Sequence, residues 1–376
     1  MGKIKLNPNR NYGIDFLRIL SMFFVLLLHI LLHGGILLNL EKFSLGYNIA
    51  WFVEICAYCA VNCYALISGF IGIGTKHKYS NIINLYFQTA FYAVLATGIF
   101  YVMNPDEIGK KAFIKAVFPF GFNVYWYFTA YLCMFFFIPF MNKILEVCDY
   151  KQLSGLVSAS VIFFSIIPLI FKSDVYFTNN GYTVLWISVL YIIGGYIRKY
   201  ELHKKISNIK CILLYFGAVL LSFGQKVITE YVKYAVNGET VNEGLFIKYT
   251  SPTIVICAVS LLCLFAKVDF KDGMKKFTAV FSPFAFSVYL IHTAPFVWSK
   301  VMKNRFVSYA ELNPFVMILL VFATAIGIFA ICSLIDFVRV QLFKMFRIKE
   351  LSVKIEGTVA KIIEKIYNKK ETEKVK

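Results

Sequence analysis

Apolar runs of about twenty residues recur along the whole chain, and each is long enough to cross a hydrocarbon core of about 30 Å. Hydrophobic residues make up 59% of the 376 residues and charged residues only 16%, a balance that a single soluble core does not accommodate. We count about ten runs, at residues 14–38, 48–73, 80–103, 123–147, 152–171, 182–200, 209–235, 247–266, 280–302 and 315–340. The sequence therefore predicts an all-α, polytopic membrane protein.

The runs follow one another as a single predicted membrane domain, residues 1–340, and a short basic tail follows at residues 341–376. The first run is too long and too charged for a cleavable signal peptide. With the N-terminus in the cytoplasm, most of the 39 Lys and Arg residues fall in segments on the cytoplasmic side, as the positive-inside rule requires. We therefore expect both termini in the cytoplasm and a multi-pass protein of the cell membrane.

The basic charge and the tail both point to lipid. The net charge of +18 follows from the orientation bias and from attraction to anionic lipid, so it predicts no nucleic-acid partner. The tail places its apolar residues on one helical stripe, which predicts a helix lying in the cytoplasmic interface. The stripe consists of Ile348, Leu351, Ile355, Val359, Ile362 and Ile366.

Three of the nine cysteines, Cys56, Cys59 and Cys63, have helical spacing within the second run. Such spacing also occurs in metal and redox sites, but a free cysteine in an apolar helix is typically a small, polarizable packing residue. We therefore predict packing roles, with no disulfide framework and no metal site.

The first run, DFLRILSMFFVLLLHILLH, carries four ionisable side chains, Asp15, Arg18, His29 and His33. At 100° per residue, Arg18 and His29 lie within about 20° of each other, and the other two lie about 40° from His29. Ionisable residues within a span usually face the bundle interior or a water-filled cavity and mark function. Asp15 and Arg18 also have the spacing of an ion pair near the helix end. His29 lies about 22 Å along the helix from Ile14 and has no such exit to water.

This element resembles the first helix of the membrane acyltransferase family 3 proteins, in which Asp-x-x-Arg is followed by ten residues and then His. Three later elements are similar to the same family, in the same order. They are VNCYALISGFIG with Ser68-Gly69-Phe70, YWYFTAYLCMFFFIPFMN with Trp126 and Tyr127, and FSVYLIHTAPF with Tyr289 and His292. Each motif is short, but four in order cover nearly the whole membrane domain.

The resemblance implies transfer of an acyl group, usually acetyl, from a cytoplasmic coenzyme A thioester to a hydroxyl of a bacterial surface glycan. It implies a catalytic role for His29 and a donor-binding role for Arg18. Imidazole is a base near neutrality, and a guanidinium binds phosphate, so both residue types suit these roles. The expected partners are acyl-CoA, a glycan acceptor and polysaccharide-synthesis machinery, and no permanently bound cofactor is expected.

The donor is also expected to contact Asp15, Lys76 and Lys78. The two lysines stand where the family often has an arginine-rich segment, and lysine lacks the bidentate fork of arginine. Donor contacts are therefore expected to be weaker here or to come from other loops.

Four further residues are predicted to contact substrate: Ser68, Trp126, Tyr127 and His292. Alternatives remain for three of them. Aromatic residues at span ends also form interfacial belts, which applies to Trp126 and Tyr127. His292 also suits a hydrogen-bonded packing role.

Glu54 is predicted to form a catalytic dyad with His29. Glu54 lies about 9 Å deep from the outer end of the second run, and His29 lies about 8 Å below the same face. A carboxylate at that level would hold the imidazole tautomer and stabilise the imidazolium. The alternative is a Glu54 that is solvated or paired with a loop lysine.

Two other functions remain open from the residues alone. A transporter or flippase for a glycan precursor or small solute would use the polar stripe of the first run as a permeation path. A polysaccharide polymerase would act on lipid-linked sugars without any thioester. The resemblance favours the enzyme.

One further pair of charged residues is predicted to serve structure. Asp336 and Arg339, near the end of the last run, are expected to form an ion pair.

Overall fold

The computed structural model describes residues 6–238 and 244–374, with side chains up to residue 366. Every regular element within these residues is helical, which confirms the predicted all-α class. The α-helices are α1 (Tyr12–Leu28), α2 (Ile36–Asn39), α3 (Leu45–Ala57), α4 (Ala60–Gly72), α5 (Tyr79–Met103), α6 (Lys110–Val117), α7 (Trp126–Val147), α8 (Tyr150–Val161), α9 (Ile167–Phe171), α10 (Val184–Lys199), α11 (Leu202–Lys205), α12 (Asn208–Asn237), α13 (Pro252–Phe265), α14 (Asp272–Phe281), α15 (Ala285–His292), α16 (Pro314–Met345) and α17 (Ile348–Lys374). Short π-helical turns lie at His29–His33, Ile162–Ile166 and Trp298–Met302, and 3-10 turns lie at Pro105–Glu107, Asn179–Gly181, Ser282–Phe284 and Val307–Glu311.

Seven helical segments of the described residues are long and apolar enough to cross a membrane. They are Tyr12–Asn39, Leu45–Gly72, Tyr79–Met103, Trp126–Val147, Tyr150–Phe171, Asn208–Asn237 and Pro314–Met345. Each corresponds to one of the ten predicted runs. Of the other three runs, one forms α10 with 16 residues, one forms α13 with 14 residues, and the ninth is interrupted. The count of ten crossings and the cytoplasmic termini stay predictions.

The continuous span predicted at residues 280–302 is wrong. Helix α14 gives way to a 3-10 turn and then to α15, which ends at His292. Pro295 and the positive φ of Phe296 (67°) then separate α15 from the π-helical turn Trp298–Met302. Proline lacks the N–H of a helix interior, and a positive φ is incompatible with a continuing right-handed helix. His292 therefore lies at the end of a short helix and not midway along a long one.

Helices α4 and α10 approach each other closely because each presents a glycine to the other. A Cβ on Gly69 would lie 1.8 Å from the carbonyl oxygen of Tyr191, and a Cβ on Gly194 would lie 2.1 Å from that of Leu66. Small residues permit such backbone contact between membrane helices. The glycine of the Ser68-Gly69-Phe70 triplet thus fixes α4 against α10.

Buried ion pairs also hold the helices together. Arg339 donates to Asp336 from Nε (2.8 Å) and from a terminal nitrogen (2.9 Å), and Tyr92 of α5 donates to the same carboxylate at 2.5 Å. This confirms the predicted ion pair. Lys226 and Glu230 form a second buried pair within α12, and a tyrosine of α3 donates to Glu230 at 3.0 Å. Such charges persist in an apolar interior only when they are paired and hydrogen-bonded.

Helix α17 begins after a turn at Arg347, whose φ is 51°. Ser352 is buried, and Glu356 accepts a hydrogen bond from the backbone N–H of Tyr79 at 2.7 Å. Lys78, which precedes α5, gives that helix no side-chain cap, so Glu356 of the tail supplies one. Beyond this contact the apolar stripe is exposed at Val359, Ile362 and Ile366. Its position in the membrane interface stays a prediction.

Candidate active site

Helix α1 changes its winding where its deepest ionisable residue stands. Asn11 caps the helix by accepting from the N–H of Ile14 (3.0 Å), and regular α-helix runs to Leu28. The next five residues, His29–His33, form a π-helical turn, and the N–H of Gly34 donates to the carbonyl of His29 at 2.7 Å. Single π-turns inside α-helices occur frequently at functional sites.

This turn opens onto a cavity of roughly 360 Å³, which we call the histidine cavity. His29 is half-buried in its wall, and His33 is exposed, with the two ring centroids 5.5 Å apart. The remaining wall is largely aromatic and includes Trp126, Tyr127, Tyr182, Tyr249, Tyr289 and Trp298. The predicted substrate residues Trp126 and Tyr127 therefore lie in the same cavity as His29.

His292 contacts the His29 ring from outside the histidine cavity. Nε2 of His292 lies 2.8 Å from Nδ1 of His29, and Nδ1 of His292 lies 2.5 Å from the carbonyl oxygen of Val288. His292 is only 2% exposed and does not line the histidine cavity. The predicted contact of His292 with substrate is therefore replaced by a contact with the predicted catalytic residue.

Trp298 was missed by the sequence reasoning. Its ring lies 4.9 Å from His29 and 4.9 Å from His33, edge-on to both. The segment after it is held on the end of the first span, because the N–H of Asn304 donates to the carbonyl of His33 at 3.0 Å. The signal was Pro295, which ends the helical pattern soon after His292 and allows the chain to fold back.

A second cavity of roughly 520 Å³ lies toward the N-terminal end of α1, and we call it the basic cavity. Its wall contains the predicted donor residues Arg18, Lys76 and Lys78, together with Arg10, which was not predicted. Ser68 also lies here, and its hydroxyl donates to the carbonyl of Tyr64 at 2.9 Å. Ser68 is therefore on the side of the predicted donor and apart from Trp126.

Asp15 does not line the basic cavity but fixes its guanidinium groups. Asp15 is 3% exposed, and its carboxylate forms ion pairs with Arg10 and with Arg18, the latter at 2.8 Å. The hydroxyl of Ser282 donates to the same carboxylate at 3.2 Å. Asp15 thus has the ion pair with Arg18 that its spacing predicted, and both of its arginine partners line the basic cavity.

His77, in the loop between α4 and α5, lines the basic cavity without adding a positive charge at neutral pH. Burial lowers the pKa of His77 from its ordinary value of 6.5, and the opposing effect of Glu356 is smaller. Because the lowered pKa favours neutral imidazole at pH 7, the positive charge of the cavity comes from its arginines and lysines.

The two cavities share part of their walls. Tyr64 of α4, Tyr127 of α7 and Phe286 of α15 line both of them. The hydroxyl of Tyr64 donates to the carbonyl of Arg18 at 2.9 Å, which ties this shared wall to α1. Arg18 and His29, about 16 Å apart along the helix, therefore face two different but adjoining cavities.

Glu54 does not form the predicted dyad. It is 1% exposed, its Oε2 has no hydrogen-bond partner among the described residues, and no contact joins it to His29 there. It interacts electrostatically with Tyr58, Tyr182 and Tyr249. Distance along the helix predicts how deep Glu54 lies but not which face of α3 carries it. His292, and not Glu54, is the hydrogen-bond partner of Nδ1 of His29.

The family model described as the acyltransferase domain, acyltransferase 3, matches residues 11–336. The chain belongs to the acyltransferase 3 family. No curated protein and no solved structure matches it. The matched residues run from the N-terminus of α1 into α16, so they include the whole lining of the histidine cavity of this membrane acyltransferase and all of the basic cavity except Arg10.

Proposed function

We propose that this acyltransferase transfers an acyl group from cytoplasmic acyl-CoA to a hydroxyl of a cell-surface or exported polysaccharide or its lipid-linked precursor. Acetyl is the acyl group that we favour. One observation carries the proposal: a basic cavity and a histidine-bearing aromatic cavity adjoin through Tyr64, Tyr127 and Phe286. An anionic donor and a neutral, ring-shaped acceptor would each find a matching surface, and the reacting atoms would meet at the shared wall.

The basic cavity suits the donor. Coenzyme A carries a diphosphate, and guanidinium groups bind phosphate oxygens through paired, charge-assisted hydrogen bonds. Arg10 and Arg18 would supply those bonds, with Asp15 holding both side chains in place. Lys76 and Lys78 would add point charges at the mouth of the cavity. The pantetheine arm would then extend toward Tyr64 and Tyr127.

His29 would act as the general base. The acceptor hydroxyl loses its proton to an imidazole nitrogen of His29 as its oxygen attacks the thioester carbon. A carbon–oxygen bond forms, the carbon–sulfur bond breaks, and the proton passes from His29 to the sulfur of the leaving thiolate. The products are the glycan ester and free coenzyme A, so His29 returns to its starting state.

The aromatic wall suits a sugar. Trp126 and Tyr182 have ring centroids 4.6 Å apart, and Tyr249 lies 4.9 Å from Tyr182. Large, rigid rings with a polar edge offer apolar faces to the C–H groups of a sugar and hydrogen bonds to its hydroxyls. His33, which is exposed, marks the open side of the cavity through which an extracytoplasmic acceptor would enter.

The test is a direct assay of the purified protein with acetyl-CoA and candidate glycans, which follows free thiol and the mass of the glycan. We expect thiol release to match a gain of one acetyl group per glycan. His29→Ala should abolish both signals, whereas His203→Ala, at a buried histidine outside both cavities, should retain them. Glycan movement across a vesicle membrane without thiol release would contradict the proposal and support a transporter.

A further inference from the structure

We propose that His292 is a positioning residue that holds the proton of His29 on Nδ1 and so leaves Nε2 of His29 as the base. The consequence for the reaction rate rests on the proposed function, whereas the position of the proton does not. The inference comes from two contacts that share one imidazole, His29 to His292 and His292 to the carbonyl of Val288.

The first step concerns the carbonyl of Val288. A carbonyl oxygen has only lone pairs, so it accepts hydrogen bonds and never donates them. Nδ1 of His292 lies 2.5 Å from this oxygen, and therefore Nδ1 must carry a hydrogen. A lone pair on Nδ1 would instead face the lone pairs of the oxygen at that distance. Val288 and His292 are one helical turn apart in α15, so the helix itself sets this contact.

The second step passes the constraint to His29. Neutral imidazole has one N–H, so a hydrogen on Nδ1 of His292 leaves Nε2 as an acceptor. Nε2 lies 2.8 Å from Nδ1 of His29, a distance that requires a hydrogen between the two nitrogens. That hydrogen must belong to His29. Nδ1 of His29 is therefore the donor, and Nε2 of His29 keeps its lone pair.

Charged alternatives are costly at this position. His292 is 2% exposed, and an imidazolium there would place an unpaired charge inside a membrane helix bundle. In a soluble catalytic triad a carboxylate orients the histidine. A second neutral histidine does the same work without a permanent buried charge. When Nε2 takes the hydroxyl proton, the bond from His29 to His292 becomes charge-assisted and strengthens.

The break in the ninth run also contributes to the position of the His29 ring. Because α15 stops at His292, the chain turns back, and Trp298 reaches the rings of His29 and His33 at 4.9 Å each. His29 is thus held by a hydrogen bond on one ring nitrogen and by an aromatic edge. A continuous helix through residue 302 would carry Trp298 six residues, or about 9 Å, beyond His292.

The position of the proton is tested by nitrogen NMR of the purified full-length protein with ¹⁵N-labelled histidine. The chain has only five histidines, and single His→Gln variants at the other positions assign the His29 signals. We expect a protonated Nδ1 and a bare Nε2 for His29. A proton on Nε2 of His29 would overturn the inference. This measurement needs no turnover, so it decides the tautomer even if the acyl-transfer assay fails.

The kinetic test compares two variants. Glutamine places an amide oxygen near the position of Nε2 and still accepts from His29, whereas leucine fills space and accepts nothing. We expect His292→Leu to lower kcat by about 10²- to 10⁴-fold with KM for acetyl-CoA nearly unchanged, and His292→Gln to recover at least tenfold of that loss. His203→Leu is the matched control for removing a buried histidine.

Two outcomes would overturn the positioning role. Equal activity of His292→Leu and His292→Gln would mean that His292 only fills space. A shift of the His292→Leu defect into KM for the donor would mean that the residue acts on the basic cavity. Loss of transfer in the wild type would instead contradict the proposed function, with the NMR result still deciding the tautomer.

Discussion

The two cavities differ in how the chain builds them. The basic cavity takes its charged side chains from the first 78 residues, Arg10 and Arg18 from the start of the chain and Lys76 and Lys78 from the loop before α5. The histidine cavity gathers residues from α1, α7 and several segments up to Trp298. Charges therefore concentrate locally, whereas the reacting surface depends on tertiary packing over nearly the whole membrane domain.

The largest effect expected from this division is the loss of turnover in His29→Ala. Removal of a general base typically lowers the rate by about 10²- to 10⁴-fold, and the basic cavity should still bind the donor. We therefore expect kcat to collapse while equilibrium binding of acetyl-CoA stays within about twofold, measured by titration calorimetry. Substantial loss of donor binding in this variant would break the distinction between the two cavities.

Arg18→Ala should have the opposite effect to His29→Ala, because it should weaken donor binding and not the chemical step. A hydrogen bond to a charged group contributes about 1.5–3 kcal/mol, so donor affinity should fall by roughly 10- to 100-fold. Arg18→Lys should recover little, because the planar fork is lost. Donor titration and kcat at saturating donor measure the two effects separately. The matched control is Arg198→Lys, because Arg198 is exposed and lies outside both cavities. Unchanged donor affinity in Arg18→Ala would mean that Arg18 does not bind the donor and serves only the structure.

The comparison also explains what the sequence predicts well. An ionisable residue in an apolar run is conspicuous, because burying it without a purpose is costly. Lys76 and Lys78 lie in a loop and follow from the family resemblance, whereas Arg18 stands out by its place in an apolar run, and all three line one cavity. His29 was found for the same reason as Arg18. The helical class and seven of the runs follow from apolar length alone.

The rest depends on information that spacing does not carry. His292 is 263 positions from His29, and its contact depends on where α15 stops. Glu54 was placed at a plausible depth, but depth does not specify which face of a helix meets which neighbour. Trp298 belongs to a chain rich in aromatic residues, with 39 Phe and 24 Tyr, so its ring type gives no signal, and Pro295 indicates only that the chain turns back and not that Trp298 reaches His29.

A smaller effect is expected at Trp126, on the acceptor side. Aromatic contacts contribute about 0.5–1.5 kcal/mol beyond simple burial, so Trp126→Ala should raise KM for the glycan by roughly two- to tenfold. Donor affinity should not change, and Trp126→Phe should keep most of the acceptor affinity. Phe136→Ala, on the same helix but half exposed at the outside of the bundle, is the control. A change in donor affinity with no change in KM for the glycan would contradict a role for Trp126 in binding the acceptor.

The smallest effect is expected at Glu356, which links the tail to the basic cavity. Its carboxylate caps the first turn of α5, directly after Lys78 of the cavity wall. Hydrogen bonds from Ser80 and from the backbone of Tyr79 and Ser80, with the nearby charge of Lys78, lower the pKa of Glu356 from its ordinary value of 4.5. Glu356→Gln removes the charge but keeps an acceptor, so the cap on α5 that positions Lys78 is weakened and not lost. Because this positioning outweighs the removal of one negative charge, donor affinity should fall only about two- to fivefold, with kcat at saturating donor unchanged.

The sign of the pH dependence follows from that lowered pKa. The folded form holds the carboxylate ionised more strongly than the unfolded form does, so its contribution is full above the ordinary value of 4.5 and disappears as pH falls through the lower folded pKa. Hydrogen exchange of the amides at Tyr79 and Ser80 measures this contact. At pH 7 they should exchange faster in Glu356→Gln than in the wild type, and below the folded pKa the two proteins should exchange alike. Equal exchange in the two proteins at pH 7 would show that the tail holds α5 through Ser352 and its apolar neighbours, and that the charge of Glu356 contributes nothing to this contact.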